Sequence, residues 1–179
     1  MALSNTTTFA NRMGMDLKFY AYSADLDPES ATPVATIDFA NEVAVELAGD
    51  TTWATGGSSH ANRIPFADPI EGSITISTQL MNNAALSLLV GTSYVGSDGT
   101  ITFNNKDENR FFVITGTTVW KDENGTTYTE NIKAFKAAPQ RAYNVTYTGE
   151  GDPSSMDIVF DLAEDSEGNV FSTQKVTAA

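Results

Sequence analysis

The residues able to do chemistry are few and poorly grouped. His60 is the only histidine of the chain and lies among small polar residues in GGSSHANR. A general base needs a partner to orient it, and a metal site needs several donors. With no second histidine and no cysteine, neither constellation exists. Carboxylates are plentiful, and the pairs Asp38 with Glu42 and Asp157 with Asp161 invite comparison with a glycosidase dyad. That dyad needs two strands at a cleft and one desolvated acid. On an extended chain each of these pairs falls on one face, which describes a solvated surface. KDENGTTYTE (residues 121–130) glances at a calcium loop, but Gly125 stands where the fourth and not the sixth position would be, and no closing acid follows. A tight hairpin turn accounts for it. Gly56-Gly57 has no lysine or helix start after it, so it is no phosphate loop. NTT, NGT and NVT match glycosylation acceptors only as a pattern. The expectation is a protein that is not an enzyme, with no cofactor and no metal.

A chain of 179 residues with 41% hydrophobic content makes one domain with a substantial core. It has no cysteine, which excludes a disulfide scaffold and any thiolate site. The formal net charge is −13, so a nucleic-acid grip built on counterion release is not expected. Only 18% of residues are charged, with Thr, Asn, Ser and Gly abundant, unlike a disordered acidic tail. No basic-then-apolar leader opens the chain and no run approaches the roughly 20 apolar residues of a membrane span, so the reading is soluble and unsecreted.

The elements follow from periodicity. In PVATIDFANEVAVEL (residues 33–47), Ala35, Ile37, Phe39, Val43, Val45 and Leu47 share one side of an extended chain. Thr36, Asp38, Ala40, Glu42, Ala44 and Glu46 take the other, and Asn41 breaks the pattern. A helix is the rival, but the β-branched Val34, Thr36, Ile37, Val43 and Val45 favour strand. EGSITISTQL repeats the pattern, with Ile74, Ile76 and Leu80 on one face and Glu71, Ser73, Thr75, Ser77 and Gln79 on the other. Between these two, residues 48–69 show no sustained period and read as a long loop, functional or ordered by a partner. Its Trp53, Ile64 and Phe66 are costly to leave in water.

Residues 1–14 read as an N-terminal arm ordered only against something else, and 15–179 as a single domain. NNAALSLLVG predicts one short helix from Asn83 to Val90, capped by asparagine and ended by Gly91. Further strands are expected over residues 15–23, 100–103, 110–121, 126–135, 142–148, 156–162 and 170–173. Turns are expected at Ser97-Asp98-Gly99, Asn124-Gly125 and Glu167-Gly168-Asn169. The expected fold is mainly β: a β-sandwich or partly closed barrel of about eight strands with one short flanking helix. Ile74, Ile76, Leu86, Leu89, Ile158 and Phe160 should pack together in its core.

Two stretches resemble the tail tube (major tail) proteins of long-tailed bacteriophages. EGSITISTQLMNNAALSLLVG (residues 71–91) is similar to that family's strand, short helix and glycine, and AAPQRAYNVTYTGEGDPSSMDIVFDLAEDSEGNVF (residues 137–171) to its closing hairpins with their GDP turn. Together they cover about a third of the chain. The resemblance implies a β-sandwich-like subunit, hexameric rings, and rings stacked into a hollow tube that DNA crosses during genome ejection. It implies that two long strands help to line the channel and that the loop joining them meets the next ring. On that view Asp38, Glu42, Glu46, Glu71, Ser73, Thr75, Ser77, Asp157 and Asp161 line the channel. Trp53, Ile64 and Phe66, with the 1–14 arm, make the inter-ring contact. The implied partners are further copies of the chain, the tape-measure protein, tail-tip or baseplate proteins, and a sheath protein if the tail contracts. DNA would pass without specific binding, no membrane is involved, and the protein would be made in the host cytoplasm and end in the virion tail.

Two other readings stay open. One is another phage structural protein, a head decoration or a tail terminator, which would form closed trimers or a single ring. The other is an extracellular β-sandwich binding module, in which Trp53, Trp120 and the tyrosines would stack on sugars.

Overall fold

The computed structural model describes residues 9–11, 14–56, 61–79, 85–86, 89, 93–95, 100–102, 110–140, 144–145 and 155–177. The strands are β1 (Phe9–Asn11), β2 (Met15–Ala21), β3 (Ala35–Ala40), β4 (Glu42–Ala48), β5 (Thr51–Gly56), β6 (Ala61–Ala67), β7 (Glu71–Thr78), β8 (Ser93–Val95), β9 (Thr100–Thr102), β10 (Phe112–Asp122), β11 (Thr127–Pro139), β12 (Asn144–Val145), β13 (Met156–Ala163) and β14 (Phe171–Thr177). The fold is mainly β, as expected. Ten strands join in one antiparallel sheet with the path β3-β2-β10-β11-β13-β7-β4, to which β1, β12 and β14 attach. Ala85, Leu86 and Leu89 are helical and buried, inside the predicted helix.

This sheet is folded over. Phe19 on β2 and Phe160 on β13 stack with ring centroids 5.6 Å apart, although three strand spacings separate them along the path, about 14 Å on a flat sheet. The two layers enclose Leu17, Phe19, Ile37, Ile114 and Ile132 from one side and Ile74, Ile76, Ile158 and Phe160 from the other, with Leu89 against them. The predicted core residues are all buried, Leu86 just outside this cluster. Gly116 lies in the packed layer because a side chain there would strike Met15, Leu17 and Ile132 within 3 Å.

The segment from residue 34 to 47 corrects the sequence reading. It is extended, but it is two strands. β3 pairs with β2 and β4 pairs with β7, at opposite ends of the sheet path. The break falls at Asn41, whose N–H donates to the Ser77 carbonyl at 2.8 Å. A register shift against β2 between Met15 and Leu17 precedes it, so Ala40, placed outward by strict alternation, is buried. A bulge and bend of this kind is how one strand turns the corner between two layers.

The region between β4 and β7 is corrected too. In place of a loop, β5 and β6 form a two-stranded hairpin of their own. Residues 9–11 of the expected arm lie along the distal end of this same chain's β10. The 100–103, 142–148 and 170–173 strands correspond to β9, β12 and β14, with β14 running longer than expected; β8 pairs with β9 and was not foreseen. Ser97-Asp98-Gly99 lies outside the described residues. The Asn124-Gly125 turn is a wider one: the N–H of Asp122 reaches the Thr126 carbonyl, and Gly125 has φ +83°. Asp165 to Asn169 repeats it, with Gly168 at φ +82°. Both are the three-residue hairpin in which a left-handed glycine closes a type I turn.

One end of the core is stoppered by a polar cluster. Glu130 on β11 is buried and accepts hydrogen bonds from Trp120 Nε1, from Thr173 Oγ1 at 2.7 Å and from Lys175 Nζ at 2.8 Å. The Lys175 ammonium also lies 4.8 Å from the Trp120 ring centre. These contacts clip the C-terminal strand β14 to the β10–β11 hairpin. Burial pushes the Glu130 carboxyl up, but the three donors and the lysine charge outweigh it and hold it below the usual range. A depressed carboxylate stabilises the fold above its unfolded value, near 4.3, and loses that contribution as pH falls through its folded value. Urea titrations from pH 7 down to pH 3 should therefore show Glu130→Gln less stable at neutral pH, by about 1–3 kcal/mol, with a shallower loss toward acid than the unaltered chain. In the core, Phe160→Ala should cost about 3–5 kcal/mol by the same measurement.

Candidate functional site: an acidic panel and an uncovered arm

The outward face of the β4-β7-β13 layer gathers most of the predicted channel residues. Register places Glu42 opposite Ser77 and Ser77 opposite Asp157, then Ala44, Thr75 and Val159, then Glu46, Ser73 and Asp161. Glu71 stands beyond, opposite Ala48. Sequence alternation predicted each strand's outward set; the structure aligns the three sets into rows. No lysine or arginine occupies these positions. Ser77 donates to Asp157, and Gln140 Nε2 donates to Asp161 at 2.6 Å, so two of the acids are held by neighbours. Gln140 was not foreseen, because only the β11–β13 pairing brings it there.

Asp38 does not join the panel. It is exposed on β3, before the corner at Asn41, in the strand that pairs with β2. The bend that delivers Glu42 and Glu46 to one layer leaves Asp38 with the other.

Within the panel the acids are spread out. Glu42 and Asp157 sit two strand spacings apart, about 9.6 Å, and the two acid rows are about 13 Å apart along the strands. The screening length at physiological salt is about 8 Å. The panel can thus be strongly negative toward an approaching polyanion while its own members repel one another only weakly.

The second feature is the arm. The β4–β7 ladder ends at Ala48 opposite Glu71, and the β5–β6 ladder starts at Thr51 opposite Ala67. Between them the Asp68 N–H donates to the Asp50 carbonyl at 2.9 Å, and Thr52 Oγ1 to Asp68 at 3.3 Å. One strand spends one residue more than the other at this junction, so the ribbon is kinked there. The arm then extends about 20 Å, six residues of strand. Trp53 is 45% exposed, Ile64 and Phe66 56% each. At its root Leu47, expected in the core, is 46% exposed, and Ile70 56%. Gly72 lets the ribbon close here, since a Cβ would meet the Glu46 carbonyl at 2.5 Å.

Among the described residues no cluster of His, Asp and Glu is arranged to hold a metal ion, and no helix is long and apolar enough to cross a membrane. His60 lies outside the described residues. Trp120, a candidate for stacking sugars, is engaged with Glu130 and Lys175. No family model and no curated protein matches the chain.

Screening sets an expectation for the panel. Replacing Glu42, Glu46, Asp157 and Asp161 by their amides should raise the melting temperature slightly in 10 mM salt. The gain should fade toward 1 M salt, where the Debye length is about 3 Å. Differential scanning calorimetry across salt checks this, and an equal gain at both ends would mean the acids are not acting by charge.

Proposed function

We propose that the protein is the subunit of a self-assembling hollow tube, a bacteriophage tail tube, in which hexameric rings stack around an acidic channel crossed by DNA. The observation that carries this reading is that one antiparallel ribbon, residues 42–78, bears both required features. Its base presents carboxylates and hydroxyls to solvent, and its end presents uncovered apolar side chains. In this reading a wall and a joint lie along one ribbon, with β4 and β7 at its base and β5 and β6 at its end.

The wall chemistry suits passage and not capture. Duplex DNA carries one negative charge per roughly 1.7 Å of axis, and a lysine- or arginine-lined bore would bind it through counterion release. Glu42, Glu46, Glu71, Asp157 and Asp161, interspersed with Ser73, Thr75 and Ser77, offer like charge and small hydroxyls. Such a lining prevents sticking within about a Debye length, and it supplies no thrust.

Assembly draws on the arm. A head-to-tail contact closes rings or propagates filaments, and Trp53, Ile64 and Phe66 supply apolar area that a monomer leaves wet. In this reading the arm meets the adjacent ring, and the tape-measure protein, the tail tip or baseplate and any sheath are the remaining partners. A ligand-binding β-sandwich module is the second reading. It is favoured by a shallow polar groove on the outward side of the other layer, lined by Lys18, Thr115, Thr117, Asn131, Lys133 and Gln174.

Negative-stain microscopy of the concentrated pure protein should show hollow filaments. Phe66→Ala, or deletion of residues 52–64, should leave rings or monomers of unchanged secondary structure by sedimentation and circular dichroism. Normal tubes from the deletion would refute the role given to the arm, and a glycan-dependent rise in melting temperature without filaments would favour the binding module.

A further inference from the structure

We infer that the β5–β6 arm is gripped on both faces at once, by two different surfaces of neighbouring copies, so that it acts as a wedge and not as a flap. This rests on the assembly reading above and specifies how the arm is used.

The register decides the geometry. Trp53 is opposite Pro65, Ala54 opposite Ile64 and Thr52 opposite Phe66. Cross-strand partners share a face and successive residues alternate. Trp53 and Pro65 therefore project from one face with Thr51 and Ala67, while Ile64 and Phe66 project from the other with Thr52 and Ala54. Both faces are apolar and both are open, with Trp53 45% exposed and Ile64 and Phe66 56%. An aromatic side chain carries about 150–250 Å² of surface. A flat docking surface would cover one face and leave the other in water. A two-stranded hairpin is itself marginal in water without packing, so the arm gains most from a slot.

The arm engages by its faces more than by its edges. Pro65, in the middle of β6, has no N–H to offer an added strand, and proline on an edge strand opposes such pairing. The charge pattern points to a second copy as the occupant. Residues 51–67 hold a single formally charged residue, the cationic Arg63, in a chain of net charge −13. Copies of so acidic a subunit repel each other, and a stretch with no acid of its own between Asp50 and Asp68 lowers that repulsion where it meets a neighbour.

The absence of cysteine makes the test direct. Thr51→Cys marks the Trp53 face and Ala54→Cys marks the Ile64 and Phe66 face, each as a single thiol. Maleimide labelling is compared in dilute subunits and in assembled tubes, with a variant that assembles poorly carried as a minority component among unaltered chains. Both thiols should be protected by about tenfold or more in tubes, and benzophenone attached at the two sites should crosslink to non-overlapping peptides of other copies. One thiol labelling in tubes at its free-subunit rate, or both sites crosslinking to the same peptide, overturns the wedge and leaves the tube reading standing. Failure of the unaltered chain to form tubes under any condition overturns both.

Discussion

At Asn41 the chain leaves one layer of the sandwich and enters the other, and the arrangement of the candidate site depends on that bend. Before it, β3 is bonded to β2; after it, β4 is bonded to β7. The Asn41 N–H bonded to the Ser77 carbonyl fixes the corner. Because the side-chain period of a strand is two, a bulge of one residue exchanges faces. It turns Ala40 into the core and starts β4 afresh, so that Glu42 and Glu46 point outward in line with Ser77, Asp157, Ser73 and Asp161. The same corner joins the strands at the two ends of the sheet path through a single residue.

Charge and hydrophobicity are then divided along one ribbon. Its base shares the core through Val43, Val45, Ile74 and Ile76 and turns acids outward; its far half leaves the sandwich at Leu47 and carries no acid between Thr51 and Ala67. On the proposed tube reading, an acid-rich subunit has to repel a polyanion and adhere to its own copies, two conflicting demands. Seven residues separate Glu46 from Trp53 and five separate Glu71 from Phe66, roughly 16–23 Å of strand, which places the apolar part about two to three screening lengths from the acidic part. The kink at Gly49–Asp50 and Asp68–Ile70 marks the boundary.

Much of the fold could be read from local pattern. The alternation in residues 71–78 and 156–162, the left-handed glycines at 125 and 168, and the helix formers at Ala85, Leu86 and Leu89 are local signals, and each reports its element well. What stayed hidden was non-local. Nothing within residues 34–47 says that the two halves bond to different strands; Asn41 was only a break in a pattern. The sequence of the arm reads as loop because a hairpin without a buried face has no reason to alternate polar with apolar: Thr51, Thr52, Trp53, Ala54 and Thr55 serve two exposed sides. The Glu130 cluster had a partial signal, since the turn at Gly125 fixes Trp120 opposite Tyr128 and so brings Glu130 diagonally beside it, while the contribution of β14 was out of reach. The outward set of each strand in the panel was legible; which strands stand side by side, and hence the exclusion of Asp38 and the arrival of Gln140, was not.

The central claim is that the β4-β7-β13 panel faces an enclosed aqueous bore. A helical reconstruction of the assembled protein by cryo-electron microscopy, at a resolution that traces strands, tests it most directly. The account predicts Glu42, Glu46, Asp157 and Asp161 on the inner wall, with the Lys18 and Lys133 face turned outward. Finding those carboxylates on the outside of the filament, or sealed between neighbouring subunits, would contradict it.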